Sequence, residues 1–184
     1  MPNHCSNDFR VHGSPKLIGE FIAYAQETRE YNETLTKKKE VIEEVISCNK
    51  FVPYPQKFRD QDEVARKAME EMQKLPKDDQ DWRNLPKDGF NQGGYEWCNA
   101  NWGTKWGMYD FSEWKRFKRS AFIRFSSAWS PPLPVIHAMA EKFPKLKFTI
   151  RYYERGGGFK GVLQLKGGKV LLEGQGEYRG HRGG

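Results

Sequence analysis

The 184-residue chain holds 31 Lys and Arg against 24 Asp and Glu, a formal charge of +7, with 37% hydrophobic and 30% charged residues. A chain of that length buries roughly two-thirds of its unfolded surface without staples, and no apolar run approaches the roughly 20 residues of a spanning helix. Three scattered cysteines, Cys5, Cys48 and Cys98, form no Cys-x-x-Cys pair, and His4, His12, His137 and His181 share no ligand spacing with them, so no disulfide framework, metal or cofactor is expected.

Residues Asp8 to His12 alternate polar and apolar, which predicts a short strand stopped by Gly13-Ser14-Pro15. Ser14 suits an N-cap and Pro15 a first helical position; Leu17, Phe21, Tyr24 and Ala25 then recur at helical spacing, with Ile18 and Ile22 widening the apolar face. A second helix is predicted from Thr34 to Ser47, where Leu35, Val41, Ile42, Val45 and Ile46 stand among lysines and glutamates. Pro53 and Pro55 break it, and a third helix, roughly Asp60 to Leu75, ends at Pro76. Residues 76–94, polar and punctuated by Pro86, Gly89, Gly93 and Gly94, read as a loop.

The second half is richer in strand signals. Ser120 to Ser126 alternates, with Ala121, Ile123 and Phe125 on one side and Phe122, Arg124 and Ser126 on the other. A helix starting near Pro134 carries Val135, Ile136, Met139, Ala140 and Phe143, and Pro144 stops it. Leu146 to Tyr153 alternates again; Val162 to Leu165 and Val170 to Leu172 then flank Lys166-Gly167-Gly168-Lys169, the composition of a two-residue hairpin. The fold class is therefore α+β: one domain over residues 1–178, an insertion at about 31–95, and a flexible Gly/Arg tail at 179–184. The start of the chain lacks a basic n-region and apolar h-region, so the expected location is the cytoplasm, with no membrane partner.

Charge is unevenly placed. Residues 1–110 hold 16 Lys/Arg against 19 Asp/Glu, and residues 111–184 hold 15 against 5, so the halves carry −3 and +10. A basic half attracts phosphate through long-range attraction and counterion release, and equally suits internal pairing with the acidic half.

Several stretches, taken in order, resemble the YubB ferredoxin-like domain family of phage and plasmid proteins. They are Met1-Pro2-Asn3 with Cys5-Ser6-Asn7, Val52-Pro53-Tyr54-Pro55, Asn101-Trp102-Gly103-Thr104-Lys105-Trp106, Trp129-Ser130-Pro131-Pro132, Tyr152-Tyr153-Glu154 and Gly158-Phe159-Lys160-Gly161. The resemblance implies a ferredoxin-like sandwich, an antiparallel sheet with two packed helices, in a mobile-element context and without a known reaction.

In such a sandwich one sheet face packs on helices and the other stays open, so alternation sorts core residues from presented ones. Phe9, Val11, Ile123, Phe125, Phe148 and Ile150 fall on the helix side. Arg10, His12, Phe122, Arg124, Lys147, Arg151 and Tyr153 fall on the other, a cationic face with aromatic rings suited to stacking bases and meeting phosphates. Alternatively, residues 76–118 fold across this face and acidic residues neutralise its arginines. Trp102, Lys105 and Trp106 are candidates for a ligand rim, or else for core filling. Gly156-Gly157-Gly158 offers backbone donors but lacks the Lys-Ser/Thr of a P-loop, and Glu154 is a candidate acid or base with His12 or His137, or else a salt-bridge partner. The expected function is non-catalytic binding of nucleic acid or a nucleotide. The alternative is a protein-interaction module that blocks a host protein.

Overall fold

The computed structural model describes residues 3–32, 39–44 and 46–180, with the backbone alone described for 28–32 and 39–44. Strand β1 (His4–His12) runs through the middle of the sheet and alternates strictly, burying Cys5, Asn7, Phe9 and Val11. Ser14 caps helix α1 (Pro15–Ala25), accepting the Leu17 N–H on its hydroxyl at 3.3 Å, and the helix buries Ile18, Phe21, Ile22 and Ala25.

The segment predicted as a helix from Thr34 to Ser47 is a hairpin where it is described. β2 (Glu27–Asn32) pairs antiparallel with β3 (Lys39–Glu44); residues 33–38 and 45 lie outside the described residues. An isolated helix of about 14 residues is marginal in water, and the β-branched pair Val41-Ile42 opposite Glu30 and Arg29 takes the strand alternative once a partner strand lies alongside. The short helix α2 (Cys48–Phe51) and α3 (Gln56–Met72) follow, then a stretch of three single 3₁₀ turns over 77–92, where the loop was expected, and α4 (Gly94–Asn101).

β4 (Tyr109–Arg116), a strand the sequence did not announce, leads into β5 (Ser120–Ala128), then α5 (Leu133–Lys142), β6 (Lys147–Glu154), β7 (Phe159–Lys166) and β8 (Lys169–Glu177). The six-stranded sheet has the order β4-β5-β1-β6-β7-β8, with every neighbouring pair antiparallel. Between β1 and β4 the chain passes over β5, and between β5 and β6 it passes over β1. Two interleaved split β-α-β units of this kind make a ferredoxin-like sandwich, which β7 and β8 extend by a hairpin. Gly167 and Gly168 close that hairpin with φ of 58° and 72°, the paired positive angles such a turn needs.

α1 and α5 cover one sheet face. Phe9 meets Phe21, Phe125 and Phe148 there, the Phe9–Phe148 rings stacked at 6.0 Å between centroids. Cys98, Trp102 and Met108, from the connection between α3 and β4, join the same core. Phe9→Ala removes the ring shared by three others and is expected to lower stability by about 3–5 kcal/mol, read as a shifted midpoint in urea unfolding; a loss under 1 kcal/mol on the same scale would refute this placing of the core.

Candidate functional site

Register and alternation together place the side chains of the second sheet face in four cross-strand rows. Nearest the N-terminal end of β1 stand Tyr109, Ser126, Ser6, Tyr153, Lys160 and Gly176, from β4 to β8. The next row reads Glu113, Arg124, Asp8, Arg151, Val162 and Gly174, and the third reads Lys115, Phe122, Arg10, Thr149, Gln164 and Leu172. The last reads Ser120, His12, Lys147, Lys166 and Lys169 from β5 to β8. Seven predicted residues, Arg10, His12, Phe122, Arg124, Lys147, Arg151 and Tyr153, therefore share one face.

Two adjoining hollows lie on it. One, of about 540 Å³, is bounded by Arg151, Tyr153, Lys160, Val162 and Leu172; the other, of about 330 Å³, by Arg10, His12, Phe122, Lys147 and Gln164. Their linings come wholly from β1, β5, β6, β7 and β8. Residues 76–118 therefore do not roof these hollows: α4 and the tryptophan-rich turn after it pack on the helix side, while β4 extends the sheet beside β5.

The arginines divide by environment. Arg124 donates from Nε to Asp8 Oδ1 at 2.7 Å, and its Nη1 lies 2.8 Å from Glu113 Oε2. The Asp8 hydrogen bond holds its guanidinium more firmly protonated than usual. Arg124 is thus the tie between three strands, and its charge is already answered. Arg10 and Arg151 are exposed, and neither they nor Lys147 make an ion pair with a described residue. Both Arg10 and Arg124 lie against the Phe122 ring, at 5.5 and 5.4 Å from its centroid, so the flat Arg10 guanidinium is itself the surface this part of the face presents. Tyr153 stacks on Tyr178 at 5.0 Å. His12 is held below its ordinary pKa of 6.5 by burial first, then by the charges of Lys147 and Arg10. The alternation missed Asp8, Glu113, Lys166 and Lys169, because their relation to this face depends on register.

The Trp-rich segment separates from this group. Trp102 is buried, donates its indole N–H to the Val52 carbonyl at 2.8 Å, and packs on Tyr54 and Trp97 in the core; with Trp106 it also lines a separate hollow of about 460 Å³, apart from the open face. Lys105 sits among rings instead, its Nζ 4.9 Å from the centroids of both Trp106 and Trp129 and 5.9 Å from Tyr95. Trp129 holds φ at +70°, a conformation a bulky side chain keeps only under constraint. The constraint is a polar network. Thr104 Oγ1 donates to the Ala128 carbonyl at 2.8 Å and accepts its N–H, Ser130 Oγ donates to Gly103 O, and the Trp129 N–H reaches Asn3 O. Gly103, at φ +74°, has Pro134 Cδ 2.7 Å from where a Cβ would stand. Two stretches that carried the family resemblance are thereby tied to each other, and Tyr109, bonded to His4 and touching Trp106, joins them to the end of the open face.

Glu154 is buried, and its carboxylate accepts the Gly156 and Gly157 N–H groups, with the Asn3 amide 3.5 Å away. The glycine turn's donors and the candidate acid or base therefore satisfy each other. Burial also pushes the Cys5 and Cys98 thiols up to about 12 and about 11, far from a reactive thiolate. Among the described residues, no group of three or more His, Cys, Asp or Glu is arranged to hold a metal ion, and no helix is long and apolar enough to cross a membrane.

Arg124→Ala is expected to cost about 1–2 kcal/mol in thermal or urea unfolding, because it leaves Asp8 and Glu113, on the strands either side of it, without their shared cation. His12 favours its neutral form in the folded protein, so its contribution to stability is complete above pH 6.5 and is lost as pH falls from there through the lowered value. Proton NMR titration should find His12 below 6.5 and should find it raised in Lys147→Ala, since removing a neighbouring cation favours the imidazolium.

Residues 101–181 match the family model described as a ferredoxin-like domain in Api92-like protein. No curated protein matches the chain. Among solved structures, the chain is similar to the crystal structure of a protein api92 from Yersinia pseudotuberculosis, with 9% sequence identity and a TM-score of 0.50, over 98% of this chain and 99% of that one. At that identity the likeness is one of fold, and it agrees with the strand order: residues 101–181 are similar to the ferredoxin-like domain of the Api92-like proteins, and β1 and α1 complete the sandwich in this chain.

Proposed function

We propose that this protein binds nucleic acid or a nucleotide on the open sheet face, without catalysing a reaction on it. The observation that carries the reading is the pair of strand-lined hollows rimmed by Arg10, Lys147 and Arg151, exposed or half-exposed cations that make no ion pair with a described residue and that outnumber Asp8, the one carboxylate lining both hollows. Guanidinium groups there meet phosphate oxygens in two parallel hydrogen bonds, and the plane of Arg10, backed by Phe122, gives a base a surface to stack on. Arg124 organises the face by fixing Asp8 and Glu113, so its role is positioning. Trp106 reaches the end of the same face through its contact with Tyr109, and Lys105 sits beside it among the rings of Trp106 and Trp129. The engagement of Glu154 by backbone donors and the raised thiol pKa values favour binding over catalysis. The resemblance to the YubB family adds a phage or plasmid setting to this reading.

Fluorescence anisotropy with labelled single-stranded DNA, RNA and a labelled adenosine nucleotide at low salt tests it. Binding should weaken steeply as salt rises. Arg10→Ala and Arg151→Ala should each weaken it by about tenfold or more while unfolding at the wild-type temperature, the loss of one charged hydrogen-bonding group. No binding to any of the three probes at low salt overturns the proposal.

A further inference from the structure

The last row of the open face separates a polymer from a single nucleotide. His12, Lys147, Lys166 and Lys169 stand at one register level on β1, β6, β7 and β8, neighbour beside neighbour. Three strand spacings of about 4.8 Å put the outer members roughly 14 Å apart. No acidic residue occupies the row, and none of its three lysines makes an ion pair with a described residue. Like charges directly opposite one another in a ladder are destabilising, and here Lys147 faces Lys166 and Lys166 faces Lys169. The row thus costs the fold something and gives it nothing. Beside it, toward the middle of the sheet, opens the hollow of about 330 Å³ bounded by Arg10, Phe122 and Arg151.

We infer that the lysine row is a track for successive phosphates of a single nucleic-acid strand, running across β6, β7 and β8, with the strand's bases turned inward to the Arg10–Phe122 hollow. This rests on the reading of the open face as a phosphate-binding surface. The track is longer than the phosphates of one mononucleotide reach, and its cations are spread one per strand, the layout that serves a chain of separate charges. A duplex turns its bases away from any surface that holds its phosphates, so a row of cations with a base-accepting hollow alongside favours the single strand. His12 closes the row at β1, and its neutral form leaves the lysines as the charged contacts.

The test compares thymidine 5′-monophosphate with oligothymidylates of about two, four and eight nucleotides, and with a duplex of the longest. Affinity should climb by at least about tenfold from the monophosphate to the tetramer, and the single strand should bind more tightly than the duplex. The triple variant Lys147→Gln, Lys166→Gln, Lys169→Gln should lower the salt slope for the octamer by about two, at roughly 0.7 per phosphate contact. The double variant Lys166→Gln, Lys169→Gln, which spares Lys147 at the rim of the hollow, should leave monophosphate affinity within about twofold. Lys166→Gln alone should raise the melting temperature by about 1–2 °C, because it relieves like-charge opposition, an effect that a structural lysine would reverse. Equal affinity for the monophosphate and the octamer, an unchanged salt slope in the triple variant, or equal binding of duplex and single strand each overturns the track while the open-face reading stands. Failure of every probe to bind overturns both.

Discussion

The pairing of β1 with β5 on one side and β6 on the other sets nearly everything else about this protein. Because side chains in a strand alternate with a period of two, seating Phe9 and Val11 against α1 and α5 forces Asp8, Arg10 and His12 to the opposite face. A slip of one residue in either ladder would exchange the two sets. The burial of the phenylalanine cluster around Phe9 prevents that slip, since it would turn Phe9 and Val11 into water and Asp8 and Arg10 into the core. Core packing and the chemistry of the open face are therefore one constraint seen from two sides.

The open face is graded. At its centre the charges answer one another, with Arg124 held between Asp8 and Glu113, and this fixes three strands without presenting a strong field. Toward the C-terminal end of β1 the balance gives way to unopposed cations, and toward the N-terminal end it gives way to rings and hydroxyls, Tyr109, Tyr153 and the tryptophans around Lys105. The Trp129 backbone stands in the left-handed region, bonded to Asn3 and flanked by the hydrogen bonds of Thr104 and Ser130, so the aromatic end is tied together from distant parts of the chain.

Most of the sheet was legible in the chain itself. The alternation of residues 8–12, 120–126 and 146–153, the Ser14-Pro15 helix start and the Gly-Gly hairpin all have the local geometry that their residues imply. Two elements were not. The β2-β3 hairpin hides in a charge-rich stretch whose periodicity fits a helix equally well, and only the partner strand decides between them. β4 has Asp110, its second residue, at φ +50° and a register shift between Tyr109 and Glu113, which obscure its alternation. The candidate site was legible as a face and not as a set of roles. Periodicity puts Arg10, Arg124 and Arg151 on the same side, yet gives no sign that one of them is spent on two carboxylates.

What the sequence by itself determined is which residues oppose which along each strand, because that follows from a period of two and from the need to bury apolar side chains. Only the tertiary structure decided who stands beside whom. Strand order and register bring Asp8 and Glu113 to Arg124, line up Lys147, Lys166 and Lys169, and take Trp102 into the core while leaving Lys105 among rings at the border. Asp8 and Arg124, or Lys147 and Lys166, lie far apart in the chain, and their juxtaposition depends on ladder pairing that no local pattern encodes, whereas Lys166 and Lys169 face each other across the hairpin turn that the sequence does announce.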